Sequence, residues 1–255
     1  MDGSHSPFFM ENPDSKGLVM FIHGFLGSPR QFADLAQRVY DCGYSAASLL
    51  LPGHNCSVRE FATVTMEDWQ NHLGGEIERL SLNHSKIILV GHSMGGLLAL
   101  NASIKFSNCV KSVFIIASPF RLAVFSAKSN KARLKLIFSG KSTPVKASYL
   151  SGVSIGLSQS LLWHIIKPFF QLKKLMRITE KNLQNVRAPV SAVYSLSDEL
   201  VSIKSLKILK SGLVGERFEQ VVLSDSMHAV FTEEERETIM QALDNALKGM
   251  EYPNN

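Results

Sequence analysis

Three cysteines in 255 residues, Cys42, Cys56 and Cys109, are too few and too scattered for a disulfide framework or a zinc site. They fit a reducing compartment, and the sequence reading places the protein in the cytoplasm or on the periphery of a membrane. No apolar run approaches the ~20 residues that span a bilayer. Met1 to Lys16 is polar and proline-containing, without the basic-then-apolar order of a secretory signal. There is no His-Glu-x-x-His and no dinucleotide fingerprint; Gly140-Lys141-Ser142 ends like a phosphate loop, but the glycine that should open it falls on Lys135. Acids are scarce in one place only. Residues 119–188 hold thirteen Lys or Arg and one acid, Glu180, a net of +12, while the remainder carries −7 within a total of +5. A basic segment on an acidic body suggests a surface that reads charge. It has neither a recognised nucleic-acid-binding fold nor an aromatic-interleaved sheet, so nucleic acid is not the expected partner.

What the chain does have is alternation. Leu18–Ile22, Tyr44–Leu51, Ile87–Val90, Ser112–Ala117, Pro189–Tyr194 and Phe218–Leu223 read as strands. Helical spacing lies between them at Pro29–Val39, Met66–Leu82, the run after Gly95, Ile203–Gly212, and a last helix to about Leu247 that Thr232 and Glu235 open as a capping box. Strand–helix alternation implies an α/β fold with a mostly parallel sheet and helices on both faces. The alternation breaks at 119–188, which divides the chain into a core of 1–118 and 189–255 and an inserted cap of 119–188. The cap carries an aromatic-aliphatic run, Leu157 to Ile178, interrupted by Pro168.

The chemistry centres on Ile87-Ile-Leu-Val-Gly-His-Ser-Met-Gly-Gly96. A buried strand runs into Gly91-His92-Ser93-Met94-Gly95, and strong helix formers follow. This is the Gly-x-Ser-x-Gly elbow, in which the glycines permit close approach of strand and helix and Ser93 stands exposed at the sheet edge. A serine hydroxyl needs a base of near-neutral pKa. Of eight histidines, only His23, His54 and His228 sit in loops that follow strands, besides His92 in the elbow. His228, after the last strand, is the candidate base; His23 and His54 are expected to orient loops and His92 to pack beneath the elbow. The base needs an acid. Asp198 ends the preceding strand on the correct edge and is preferred to Asp225, which lies only three residues before His228; Glu199 should point away if Asp198 points in. The backbone N–H groups of Phe25 and Met94 are the expected oxyanion donors, with their side chains as acyl-pocket walls.

The order Ser93…Asp198…His228 joins further patches: His23-Gly-Phe-Leu-Gly-Ser-Pro29, Leu51-Pro-Gly-His54, Met66-Glu-Asp-Trp69, Ser197-Asp-Glu-Leu-Val201 and Ser226-Met-His228. On these the chain resembles bacterial α/β-hydrolase carboxylesterases and monoacylglycerol lipases. The resemblance implies an α/β-hydrolase fold with a mainly helical cap. It also implies Ser93 as nucleophile, His228 as base, Asp198 as acid, the Phe25 and Met94 amides as oxyanion hole, and no metal or organic cofactor. Two positions depart from the family: Asn55 stands where glycine is usual after Pro-Gly-His, and Ser195 replaces a glycine three residues before the acid. The expected activity is hydrolysis of a monoacyl or medium-chain carboxylic ester. Trp163 and Phe169 of the cap are candidate substrate contacts, and an anionic membrane surface or an acidic acyl-carrier protein is a candidate partner for the basic segment. Carbon–carbon-bond hydrolysis or lysis on the same fold is the other enzymatic reading, and a binding protein without turnover the non-enzymatic one.

Overall fold

In a computed structural model, residues 5–123, 159–214 and 217–251 are described; the side chains of 159–163 and 250–251 are not. Seven strands form one sheet: β1 (Phe8–Met10), β2 (Leu18–Ile22), β3 (Ser45–Leu49), β4 (Ile87–His92), β5 (Val110–Ile116), β6 (Val190–Ser195) and β7 (Phe218–Leu223). Their order is β1-β3-β2-β4-β5-β6-β7, parallel throughout except for the antiparallel β1–β3 pair at one edge. The helices are α1 (Ala33–Asp41), α2 (Val58–Phe61), α3 (Met66–Ser81), α4 (Met94–Lys105), α5 (Gln159–Asn182), α6 (Lys204–Gly212) and α7 (Glu233–Glu251).

Strand periodicity of two divides the core. Leu18, Met20 and Ile22 of β2, with Ile87 and Leu89 of β4, face Trp69 and Leu73 of α3, Leu97 and Leu98 of α4 and Leu175 of α5. Val19 and Phe21, with Ile88 and Val90, face Phe32 at the start of α1, Val39 within it, and Ile239 and Leu243 of α7. Burial on both faces is why these strands read as unbroken apolar runs. Each large buried side chain contributes about 1.5–3 kcal/mol, so the central strands hold a firm platform beneath the loops at their carboxyl ends.

Three local expectations change. The N-terminal segment, polar at first sight, supplies β1 from Phe8-Phe9-Met10. Pro168 does not interrupt the cap run: α5 passes through it as one helix of 24 residues. A mid-helix proline costs about 3 kcal/mol, which the burial of Leu172, Leu175 and Met176 in the next turns offsets. The capping box at Thr232 is half formed: Thr232 Oγ1 accepts from the Glu235 N–H at 3.2 Å, but the Glu235 carboxylate turns to another loop. Of the cap, residues 119–123 and 159–188 are described; the basic stretch from Lys128 to Lys146 and the side chain of Trp163 lie outside the described residues.

Candidate active site

The elbow forms because two glycines let strand and helix touch. A Cβ on Gly91 would collide with the backbone of Gly95 and Gly96, and one on Gly95 with the carbonyl of Ile22. Between them Ser93 is held at φ 54°, ψ −118°, a conformation costing about 1–3 kcal/mol for a residue with a side chain. Its N–H donates to the Ile116 carbonyl of β5 at 2.8 Å, which keeps the turn in place. Ser93 sits at the entrance to α4, where the first amides have no intrahelical acceptor.

Three side chains distant in sequence meet here. His228 Nε2 lies 3.0 Å from Ser93 Oγ, and His228 Nδ1 lies 2.8 Å from Asp198 Oδ2. With Asp198 ionised, the partners fix the tautomer: Nδ1–H donates to the carboxylate, and Nε2 accepts from the serine hydroxyl. The other Asp198 oxygen accepts the N–H groups of Leu200 at 2.8 Å and Val201 at 2.7 Å. Asp225 makes no such approach to the ring; its N–H donates to Glu235. Burial pulls the His228 imidazole down, but the Asp198 carboxylate, its hydrogen bond and the nearby Glu199 charge outweigh it, and the pKa is raised above 6.5. Burial pushes the Asp198 carboxyl up, yet the His228 ring and the two amides win and hold it below the usual range.

His92 behaves oppositely although its ring centroid is only 4.9 Å from that of His228. Burial, with the neighbouring His228, lowers it to about 3. It stays neutral, and its Nε2–H donates to the His228 carbonyl at 2.8 Å. His23 and His54 hold the opposite wall. His23 Nδ1 meets the Gly24 carbonyl at 2.9 Å, and its Nε2 accepts the Leu51 N–H at 3.0 Å. His54 Nε2 accepts the N–H of Leu26, a residue at φ 60°, at 3.2 Å. Burial lowers both rings, His54 to about 4. This wall brings Gly24, the residue before Phe25, so near that a Cβ there would lie 3.0 Å from Ser93 Cβ. The Phe25 ring meets Phe61 at 5.2 Å and Trp69 at 6.3 Å. The Met94 side chain is fully buried in the core cluster of the α3–α5 face. Phe169 is half-buried against that same cluster, with the Lys173 ammonium 5.5 Å above its ring.

The two departures from the family pattern have local causes. Asn55 lies at φ 54°, the left-handed region in which asparagine is the next most tolerated residue after glycine. Ser195 uses its hydroxyl: Oγ donates to the Ser226 carbonyl at 2.5 Å, tying β6 to the His228 loop.

Two carboxylates do something other than the sequence suggests. Glu199 does not point away; it is buried, and Oε2 accepts the His228 N–H at 2.9 Å. Glu235 accepts the N–H groups of Ser224 at 2.6 Å, Asp225 at 3.1 Å and Ser226 at 2.7 Å, and the Ser226 hydroxyl. Burial raises the Glu235 carboxyl, but the Ser226 hydroxyl and the three amides lower it by more. The donor-rich Ser224-Asp225-Ser226 turn, followed by an acid on the first turn of α7, was the available signal. Among the described residues no three His, Cys, Asp or Glu side chains cluster as metal ligands, and no helix is long and apolar enough to cross a membrane.

A family model described as alpha/beta hydrolase fold matches residues 17–151, more than half of the chain. Over 235 residues the chain is 23% identical to the thermostable monoacylglycerol lipase of Bacillus sp. (strain H-257), covering 92% of this chain and 91% of that protein. A solved structure described with LipS and LipT, two metagenome-derived lipolytic enzymes, superposes with a TM-score of 0.74 at 21% identity, over 97% of this chain and 99% of that one. The monoacylglycerol lipase of Paleococcus ferrophilus gives 0.66 at 17% identity, over 93% and 98%. At such identities the two structures speak for the fold.

Proposed function

This chain belongs to the alpha/beta hydrolase fold family, and on that premise we propose that it is a serine carboxylic-ester hydrolase, of carboxylesterase or monoacylglycerol-lipase type, working through an acyl-enzyme on Ser93. The observation that carries the reading is the unbroken chain Ser93–His228–Asp198, at 3.0 and 2.8 Å. His228 Nε2 takes the hydroxyl proton as Ser93 Oγ attacks the ester carbon. The oxyanion accepts the amides of Phe25 and Met94, for which no acceptor is found among the described residues. Asp198 holds the ring tautomer and stabilises the imidazolium. The tetrahedral adduct collapses, the alkoxide leaves with the His228 proton as the alcohol, and the acyl group stays on Ser93. Water then attacks with His228 again as base, the acid is released, and the serine regains its proton.

The substrate is a monoacyl or medium-chain ester, with Phe25 at the acyl wall and Phe169 at the cap end. Support comes from the apolar Phe25–Phe61–Trp69 group beside Ser93 and from the Bacillus monoacylglycerol lipase as full-length relative. Residues 119–188 act as the cap. Along α5, Ile166 and Phe170 are exposed beside Lys167 and Lys173. Apolar and cationic side chains on one helix face suit an anionic lipid surface better than an acidic carrier protein, which would have no use for the exposed phenyl ring. The test of the reaction is p-nitrophenyl ester hydrolysis by the wild type and by Ser93→Ala. Turnover should fall by about 10⁴-fold or more in the variant; unchanged turnover would remove the assignment.

A further inference from the structure

His228 has four polar atoms, and each one is held. Asp198 takes Nδ1, Ser93 meets Nε2, His92 donates to the carbonyl, and Glu199 accepts the main-chain N–H. Glu199 is the unexpected member. It is 4% exposed, and the amide of His228 is the hydrogen-bond donor facing it. Among the described residues no Lys or Arg forms an ion pair with it, and a buried carboxylate without a cation is expensive, so its place in this loop calls for a function. Its neighbour Asp198 accepts Leu200 and Val201, which bends the loop so that both consecutive acids turn toward the histidine.

We propose that Glu199 is a positioning residue for His228: it anchors the main-chain N–H of the base and holds a second negative charge against that residue. The proposal rests on the reading of His228 as the base of ester hydrolysis. The groups facing the imidazole are Asp198 and Glu199 from the loop after β6, His92 from the end of β4, and the Ser93 hydroxyl. Neutral His92 adds no charge, so the two carboxylates alone favour the imidazolium, and Glu199 raises the pKa alongside Asp198. Removing the charge therefore shifts the titration of His228 to lower pH. Removing the acceptor lets the ring drift from Ser93.

The experiment pairs Glu199→Gln with Glu199→Ala in the full chain. It reads kcat, KM and pH profile on a p-nitrophenyl ester, and the His228 titration by NMR of histidine-labelled protein. Glu199→Gln keeps an acceptor: its plateau kcat should fall far less than that of Glu199→Ala, while the acid limb and the NMR midpoint both move to lower pH. Glu199→Ala should lose about 10- to 100-fold in plateau kcat with KM little changed, the signature of a misplaced base. If the alanine variant does not fold, the glutamine variant carries the test. A Glu199→Gln midpoint and acid limb at the wild-type position would overturn the proposal. Should the wild type be inert to esters while the midpoint still moves, the ester reading fails and the positioning role stands. Should Ser93→Ala abolish turnover while the midpoint stays fixed, the reverse holds.

Discussion

The rim of the sheet and the cap helix α5 are held in different ways. At the rim, polar atoms meet named partners. Every N–H from Ser224 to His228 is taken: the first three by Glu235, that of Met227 by the Val230 carbonyl, and that of His228 by Glu199. In α5, apolar burial of Leu172, Leu175 and Met176 fixes the second half. Polar ties add to it: Met66 N–H to Gln171 at 3.3 Å, Lys174 to Glu67 at 2.6 Å, Asn101 to Thr179 at 2.6 Å, and Arg121 to Glu180 at 2.7 Å. Toward its start, Ile166 and Phe170 face outward. Hydrogen bonds specify position to fractions of an ångström, whereas apolar packing tolerates exchange of similar volumes. On the proposed reading, the rim is specified for one reaction geometry, while the packing of α5 tolerates exchange of side chains.

Substitutions on the two sides should separate accordingly. The largest effect in this series belongs to Asp198→Asn, which keeps the shape but favours the wrong His228 tautomer; kcat on a p-nitrophenyl ester should fall about 10⁴-fold with KM nearly unchanged. A fall of only a few-fold would mean that the rim is less specified than its hydrogen bonds imply. Glu235→Gln comes next. It removes the charge behind three amide bonds and should lower stability by about 1 kcal/mol in urea unfolding at pH 7. Because the folded-state pKa of Glu235 lies below 4.5, the contribution of its charge is present above that pH and lost as the pH falls through the lower folded value. The wild-type and variant stabilities should therefore converge in acid. The smallest effect is Phe170→Ser at an exposed site: stability within about 0.5 kcal/mol and unchanged turnover of a soluble short-chain ester. Hydrolysis of a monoacylglycerol presented on anionic vesicles should drop several-fold. Equal loss on both substrates would erase the division between rim and cap.

The division also explains what could be read from the chain alone. The strands were legible because burial on both faces leaves continuous apolar runs such as Leu18–Ile22, and the elbow because Gly91 and Gly95 are required by close contact. Ser93, Asp198 and His228 followed from loop positions at one sheet edge. Glu199 was misread because alternation along an extended chain sends consecutive side chains opposite ways, whereas Asp198 bends its own loop through two amides. Glu235 was misread because a capping-box motif describes a helix end in isolation, and here a neighbouring turn offered more donors. The short β1 carries too little pattern by itself; it exists through its pairing with β3.

If the rim activates one hydroxyl, a fluorophosphonate should modify Ser93, and peptide mass spectrometry can follow that labelling across pH. On the proposed mechanism the neutral form of His228 is the base, and its pKa is raised above 6.5, so labelling should climb with pH through an inflection above that value. It should vanish in His228→Ala. A protein that is not modified at Ser93, or is modified as fast without His228 as with it, would contradict the account.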